Sequence, residues 1–457
     1  MRLVFDRGTL LLEEPPAHLD PSTLPGARVD PRVGALRAKA SHHRALKDAL
    51  TEAGIPVDDV ASRRTLPPPR LEPPELRPYQ RAALDAWDLA GRRGLVVLPT
   101  GAGKTRVAIA AAARAATSVL CLVPTRVLLA QWIDAWKAAG VPVVGCYGDG
   151  ERRLAPVTVS TYESAWRHLD VIGDRFGLLV ADEAHHLETS PRAEALEMSI
   201  APLRLGLTAT PGKDPHGRVR DLVGSAVYAL GIQDLAGTYL ADFDVVRLHV
   251  ELNADERAVY DEAMATYRKA MSWARSQAPE GSYTDLVGLL SRSDEGRAAL
   301  RAFQRAERIV GCPAHKRALL DRMIARLRET NVRGIVFVRD NEDAYDLARS
   351  HLIMPITCDI SRAERDEALA RYRSGELSLL VSAQVLNEGF DLPDAEVAIV
   401  VGGRLGEREH IQRIGRVLRP RPDKRAVVYE LVARDTHEVR RADRRSHALA
   451  ARRPAPN

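Results

Sequence analysis

The chain has 457 residues, enough for roughly two to four domains with sizeable cores. Its 66 Lys+Arg against 61 Asp+Glu leave a formal charge of +5, compatible with a polyanionic partner but too small to argue for one. Four scattered cysteines without a CxxC pair speak against a disulfide framework or a structural zinc site, and no run approaches ~18 uninterrupted apolar residues, so no membrane span is expected.

The N-terminus, MRLVFDRGTLLLEEPP, breaks its apolar runs with charges, unlike a signal peptide, so a soluble intracellular protein is expected. Two short apolar-rich segments flank Asp-Arg-Gly and predict a hairpin. A polar helix follows over 41–53, ended by Gly54. The stretch TLPPPRLEPPELRP cannot donate to helix or sheet ladders and reads as a linker over 65–75. Residues 1–64 then form a small separate α+β domain.

From Leu95 the texture changes to short runs apolar on both faces, spaced by helical segments: LVVLP, SVLCLVP, PVTVST, FGLLVADE and LRLGLTAT. Parallel strands covered by helices require such runs. The first of them, strand over 95–99, leads into TGAGKT and a helix over 105–116. Gly101 and Gly103 allow close backbone approach to phosphates, the loop amides and helix N-terminus supply partial positive charge, Lys104 reaches the outer phosphates, and the Thr105 hydroxyl can ligate Mg²⁺. The strict G-x-x-x-x-G-K-[ST] pattern fails at Leu98, which stands where its first glycine belongs.

A later strand ends in LLVADEAHH. Asp182, at the carboxyl end of a parallel strand, can hold Mg²⁺ through water, and Glu183 can orient and deprotonate an attacking water. An isolated Asp-Glu pair is as often a surface feature; its place after LLV and downstream of the phosphate loop favours chemistry. His185 and His186 have no Cys/His set at ligand spacing around them, so metal ligation is not expected there.

Residues 253–330 lack apolar strand runs and mix charge and apolar residues at helical period, which reads as a helical insertion. The strand texture then returns in GIVFV, LSLLVS, AEVAIVV and AVVYELV, a second α/β sheet. It ends in QRIGRVLRP. Arg413, Arg416 and Arg419 are three residues apart and share a helix face. That suits a polyanion or the γ-phosphate of a nucleotide; a solvated basic helix gives the same pattern. The Arg-rich tail (Arg440, Arg441, Arg444, Arg445, Arg452, Arg453) reads either as a non-specific polyanion contact or as a solvated end. Trp132 and Trp136, i and i+4 on one helix, read as core packing in preference to a base-stacking platform.

In order and spacing, these motifs resemble the superfamily 2 helicases of the DEAH-box type, most closely the XPB-like branch in its compact archaeal form. LRPYQRAAL (76–84) resembles the adenine-reading region and LPTGAGKT motif I. VPTRVLLAQW (123–132) and TVSTYES (158–164) resemble the strand-contacting motifs, and DEAH (182–185) and LTAT (207–210) motifs II and III. GIVFVRD, SAQVLNEGFDLPDAE (382–396) and QRIGRVLRP (412–420) resemble motifs IV, V and VI. One departure stands out: XPB-like proteins carry an Arg-Glu-Asp element after motif III, associated with strand separation, and this chain has Gly212-Lys213-Asp214.

The resemblance implies an α/β fold: two RecA-like parallel-sheet domains, with a small N-terminal α+β domain and a helical thumb-like insertion. Its implied divisions are a damage-recognition-like domain over 1–64, the linker over 65–75, and a first RecA-like domain over 76–240. The first strand of the second RecA-like domain covers 241–252, the thumb-like insertion 253–330, the rest of that second domain 331–440, and the basic tail 441–457. It implies ATP with Mg²⁺, with Arg77 and Gln80 reading adenine, Pro99, Thr100, Gly101, Ala102, Gly103, Lys104 and Thr105 cradling phosphates, and Asp182 and Glu183 acting as above. Gly389 and Asp391 would face the nucleotide from the second domain, with Gln412, Arg416 and Arg419 at the γ-phosphate. His185, Thr208 and Thr210 would couple nucleotide state to the nucleic-acid track, and Thr125, Arg126, Ser160 and Thr161 would grip one strand by its backbone. The expected function is a 3′→5′ DNA helicase/translocase, working as a monomer on single-stranded or forked DNA in the cytoplasm of a prokaryote, at the nucleoid, in excision repair or related DNA opening. Two alternatives stand beside it: a duplex translocase that does not part strands, and an ATP-gated DNA clamp that recruits a nuclease or repair partner.

Overall fold

The N-terminal hairpin turns on Arg7 and Gly8, both in the left-handed region (φ +48° and +80°), as a two-residue turn matched to strand twist requires. This computed structural model describes the chain except residues 32–33, 189, 213, 215–216, 241, 358, 384–394, 403–424 and 451–457 and the side chains of 362, 425 and 447–450. The described residues divide into two compact units, the first ending at Leu235 and the second beginning at Ala236, short of the division expected at 240.

In the first unit, β1 (Arg2–Asp6), β2 (Thr9–Glu13), β3 (Arg28–Asp30), β4 (Ala35–Lys39) and β5 (Asp58–Asp59) form a sheet in the order β3-β4-β2-β1-β5. Alternation along the hairpin turns Leu3, Phe5, Leu10 and Leu12 inward against Leu46 and Leu50 of α1 (His43–Glu52). Gly54, at φ +68°, closes α1: the Gly54 amide donates to Thr51 and the Ile55 amide to Leu50, which satisfies the last helical carbonyls. Ile200, from the larger sheet's part of the unit, completes this small core. The proline-rich segment is pinned where it begins, by the Leu66 amide on the Arg175 carbonyl at 2.8 Å and by Arg64 on the buried Asp174 at 3.1 Å.

The larger sheet of this unit contains β6 (Arg93–Val97), β7 (Val119–Val123), β8 (Val144–Gly148), β9 (Glu151–Arg153), β10 (Val157–Thr161), β11 (Leu178–Asp182), β12 (Leu203–Thr208) and β13 (Ala226–Ala229). Their order is β13-β6-β12-β11-β7-β10-β8-β9, parallel except for the β8–β9 pair. Strands β7, β10 and β11 are buried at every residue, which explains their unbroken apolar runs. Helices α2 (Pro78–Leu89), α3 (Lys104–Ala115), α4 (Arg126–Ala138), α5 (Tyr162–Ile172), α6 (Glu194–Glu197) and α7 (Arg218–Leu222) surround it. β6 begins and ends two residues before the strand expected over 95–99, because its register is set by pairing Arg93 with Arg204 and Val97 with Thr208. The neighbours β6, β12 and β11 bring their carboxyl ends together, where open α/β sheets bind ligands.

In the second unit, β14 (Asp242–Val250), β15 (Gly334–Phe337), β16 (Met354–Ile356), β17 (Leu379–Ser382), β18 (Val397–Val400) and β19 (Arg425–Ala433) form a parallel sheet in the order β14-β19-β18-β15-β17-β16. Helices α8 (Ala254–Gln277), α9 (Tyr283–Leu290), α10 (Asp294–Gly311) and α11 (Ala314–Glu329) follow β14, and α12 (Asn341–His351), α13 (Arg362–Ser374) and α14 (His437–Ala450) complete the unit. The Asn253–Glu256 capping box opens α8. The helical stretch expected as one insertion divides in two. Helices α8 and α10 share a core with Tyr260, Met264 and Val310, whereas α11 packs Leu320 and Ile324 beneath the second sheet. Buried Lys316 of α11 donates to the Val310 and Val401 carbonyls and to Glu438 of α14. Among the described residues no helix is long and apolar enough to cross a membrane.

Candidate nucleotide and nucleic-acid site

The loop between β6 and α3 is shaped by its glycines: Gly101 and Gly103 lie at φ +85° and +75°. Leu98 is fully buried, and its amide donates to the Thr208 carbonyl at 3.0 Å, so the strand simply continues where the strict pattern has glycine. Pro99 and Ala102 are buried, Thr100 is half-buried and Gly101 is exposed. The Ala102 carbonyl accepts from the Tyr79 hydroxyl at 2.8 Å and from Gln80 Nε2 at 2.9 Å. Gln80 is buried, and its Oε1 accepts from the Arg77 amide at 3.0 Å, closing the N-terminus of α2. A Cβ on Gly103 would lie 2.5 Å from Gln80 Nε2, so this loop and α2 are fitted to one another. Arg77 and Gln80 thus sit beside the loop; Tyr79, unnoticed in the sequence, supports it with them.

Lys104 and Thr105 open α3 under the loop. Lys104 Nζ donates to the Leu98 carbonyl at 3.4 Å and lies 4.0 Å from Glu183 Oε1. Asp182 ends β11, almost fully buried, with its carbonyl held by the Tyr162 hydroxyl at 2.8 Å. Its Oδ1 accepts from the Glu183 amide at 3.0 Å and its Oδ2 from the Trp132 indole N–H at 2.7 Å. Burial, and next the charge of Glu183, push its pKa up to about 6 against the opposing pull of Lys104 and Trp132. Glu183 adopts a left-handed conformation (φ +48°) that turns its carboxylate from the strand toward Lys104. Its Oε2 is buried and accepts no hydrogen bond among the described residues, an orphan that a bound water would satisfy. Thr105 and Asp182 offer hard oxygen donors, the kind Mg²⁺ takes, beside a loop whose glycines leave room for phosphates.

His185 Nδ1 lies 3.4 Å from Glu183 Oε2 and 3.0 Å from Thr208 Oγ1. Thr208 in turn donates to the Thr210 carbonyl at 3.2 Å and accepts from the Thr210 amide at 3.1 Å. A continuous polar chain therefore runs from Lys104 through Glu183 and His185 to the end of β12. In the segment after it, a Cβ on Gly212 would lie 1.6 Å from a Glu188 carboxylate oxygen, and Asp214 caps α7 through the amides of Val219 and Arg220.

The residues expected to grip a strand separate into two kinds. Thr125 caps α4 by accepting from the Leu128 amide, and Arg126 is well exposed, paired with Asp149 at 3.1 Å. Ser160 is buried, its hydroxyl donated to the Tyr147 carbonyl at 2.6 Å, and Thr161 caps α5 through the Ser164 amide. Their side chains are internal, because the β8–β10 pairing and the α5 cap consume them. Trp132 and Trp136 are core residues, as their spacing implied, with ring centroids 6.1 Å apart. The sequence did not show that the Trp132 N–H ends on Asp182; the signal was that a buried indole needs an acceptor. Gly389, Asp391, Gln412, Arg413, Arg416, Arg419, Lys213, Arg452 and Arg453 lie outside the described residues.

Residues 73–213 match the family described as type III restriction enzyme, res subunit, residues 315–421 the helicase conserved C-terminal domain, and residues 3–61 the xeroderma pigmentosum group B helicase damage recognition domain. A DNA 3'-5' translocase XPB2 of Sulfurisphaera tokodaii is 35% identical, covering 92% of this chain and 96% of that relative. A DNA 3'-5' helicase XPB of Kineococcus radiotolerans is 31% identical over 96% of this chain and 75% of its own length. The Pyrococcus furiosus Hef helicase domain shares the fold, with a TM-score of 0.53 at 19% identity over 80% of this chain and 97% of that one. With these three matches in sequence and relatives at this identity across nearly the whole length, the chain belongs to the XPB family of superfamily 2 DNA helicases and translocases.

Proposed function

We propose that this protein is a DNA-dependent ATPase that moves 3′→5′ along DNA. The observation that carries the reading is the polar chain Lys104–Glu183–His185–Thr208, which joins a phosphate loop to the end of a neighbouring strand. Lys104 and the amides of Pro99 through Gly103 that can donate hold the phosphates, with Arg77 and Gln80 on the base side. Thr105 and Asp182 would hold Mg²⁺, which would supply neutralisation of phosphate charge. Glu183 orients a water with its Oε2, which accepts no hydrogen bond among the described residues, and takes its proton. His185 then senses the charge on Glu183 and passes the change through Thr208 to Thr210. Arg126, with the α4 N-terminus at Thr125, contacts the strand's phosphates, while Ser160 and Thr161 shape the adjoining surface from within. Contacts of this kind are blind to sequence and weaken with salt. By the family resemblance, Gly389, Asp391, Gln412, Arg416 and Arg419 also serve the nucleotide in this reading. A monomeric state, and recruitment of a nuclease or repair partner, belong to the same proposal.

Glu183→Gln should abolish ATP turnover while leaving ATP and DNA binding in place; normal hydrolysis by this variant would remove Glu183 as general base. A second reading, a duplex translocase that leaves strands paired, is favoured by the segment after motif III. Gly212 stands where the family has arginine, packed against Glu188, and Asp214 is occupied in capping α7. A displacement assay run beside a translocation assay separates the two: movement without displacement supports the second.

A further inference from the structure

A buried carboxylate that must receive a cation needs its orientation fixed before the cation arrives, since an unpartnered charged oxygen away from water is costly. Asp182 is in this situation, and its two oxygens are not equivalent. Oδ1 accepts only from the amide of the next residue, whereas Oδ2 accepts from Trp132, fifty residues away in sequence. Trp132 lies on the buried face of α4 with Leu129 and Trp136, and the Trp136 ring packs against it at 6.1 Å, while the Tyr162 hydroxyl fixes the backbone of Asp182 from α5. The indole therefore has little freedom to follow the carboxylate elsewhere. A tryptophan serving only to fill the core would need no acceptor of this charge.

We propose that Trp132 is a positioning residue for the metal-binding carboxylate: its indole N–H clamps Asp182 Oδ2, leaving Oδ1, which accepts only from the Glu183 amide, for the cation. The proposal rests on the reading of Asp182 as a Mg²⁺-binding group. Trp132 also lies on the helix whose first turn presents Arg126, so the carboxylate clamp and the proposed strand contact share α4.

The test is equilibrium binding of a fluorescent ADP analogue across a Mg²⁺ titration, with EDTA as the metal-free arm. Trp132→Phe keeps an aromatic ring and removes the donor; replacing Trp132 by benzothienylalanine removes the N–H at nearly constant shape and covers the case in which the phenylalanine variant does not fold. Both should leave metal-free nucleotide affinity unchanged and raise the Mg²⁺ concentration at half-effect by roughly tenfold, as loss of a hydrogen bond to a charged group implies. Asp182→Asn should abolish the Mg²⁺ effect, and adding the tryptophan change to it should cost nothing more. An unchanged Mg²⁺ midpoint with only a lowered melting temperature would reduce Trp132 to a packing role and overturn the proposal. If wild-type protein shows no Mg²⁺-dependent binding at all, the reading of Asp182 fails first, and the proposal with it.

Discussion

Lys104 faces two demands at once, the Leu98 carbonyl at 3.4 Å and Glu183 at 4.0 Å, and neither geometry is tight. A lysine held loosely between weak partners is free to take a phosphate. Lys104→Ala should therefore weaken ATP binding by roughly ten- to a hundredfold with little loss of stability, measured by nucleotide titration and thermal unfolding. Undiminished affinity would remove it from the phosphate site. The loop and the Asp-Glu pair were legible at this scale because their chemistry is contiguous in the chain. Tyr79 and Gln80 on Ala102, and Trp132 on Asp182, were not, since those contacts span 22 to 50 residues and exist only after the sheet has formed. Ser160 and Thr161 show the converse: a local motif reads the same whether its hydroxyls face out or close a strand and a helix cap.

Among the elements, the strands of both sheets followed from apolar runs, because central parallel strands are covered on both faces. The helices of 254–329 were legible as helices but not by allegiance. Amphipathic periodicity reports that a face is buried, not which core buries it, and α11 belongs to the second sheet. Joining α8, α10 and α14 is a buried cluster in which Glu307 of α10 accepts from His437 and Arg441, while the Tyr260 hydroxyl of α8 accepts from the His437 amide. Burial by itself would raise the Glu307 pKa, but the hydrogen bonds and charges of His437 and Arg441 outweigh it and hold it down at about 2. A carboxyl lowered on folding stabilises the fold above its ordinary value of 4.5, and that contribution is lost as pH falls from 4.5 toward 2. Urea unfolding across this window should show stability declining with acid. Glu307→Gln should flatten that decline and cost on the order of 3 kcal/mol at neutral pH. An unaltered pH slope in the variant would contradict the assignment.

Across the molecule, the charge of +5 is too slight to announce a polyanion partner, and the function was legible through the order of motifs. That order holds because strand sequence fixes which carboxyl ends lie side by side, here β6, β12 and β11. The loop carrying Gly212 and Asp214 is where the sequence departs from its family, and there packing on Glu188 and the α7 cap give the departure a physical form. The most direct test of the whole account is steady-state ATP hydrolysis with no nucleic acid, single-stranded DNA, duplex DNA or RNA of matched length. Basal turnover should be low and rise several-fold with DNA, with single strands effective if the protein tracks one strand and duplex alone effective if it moves without parting them. Turnover indifferent to every one of these polymers would contradict a DNA-driven motor.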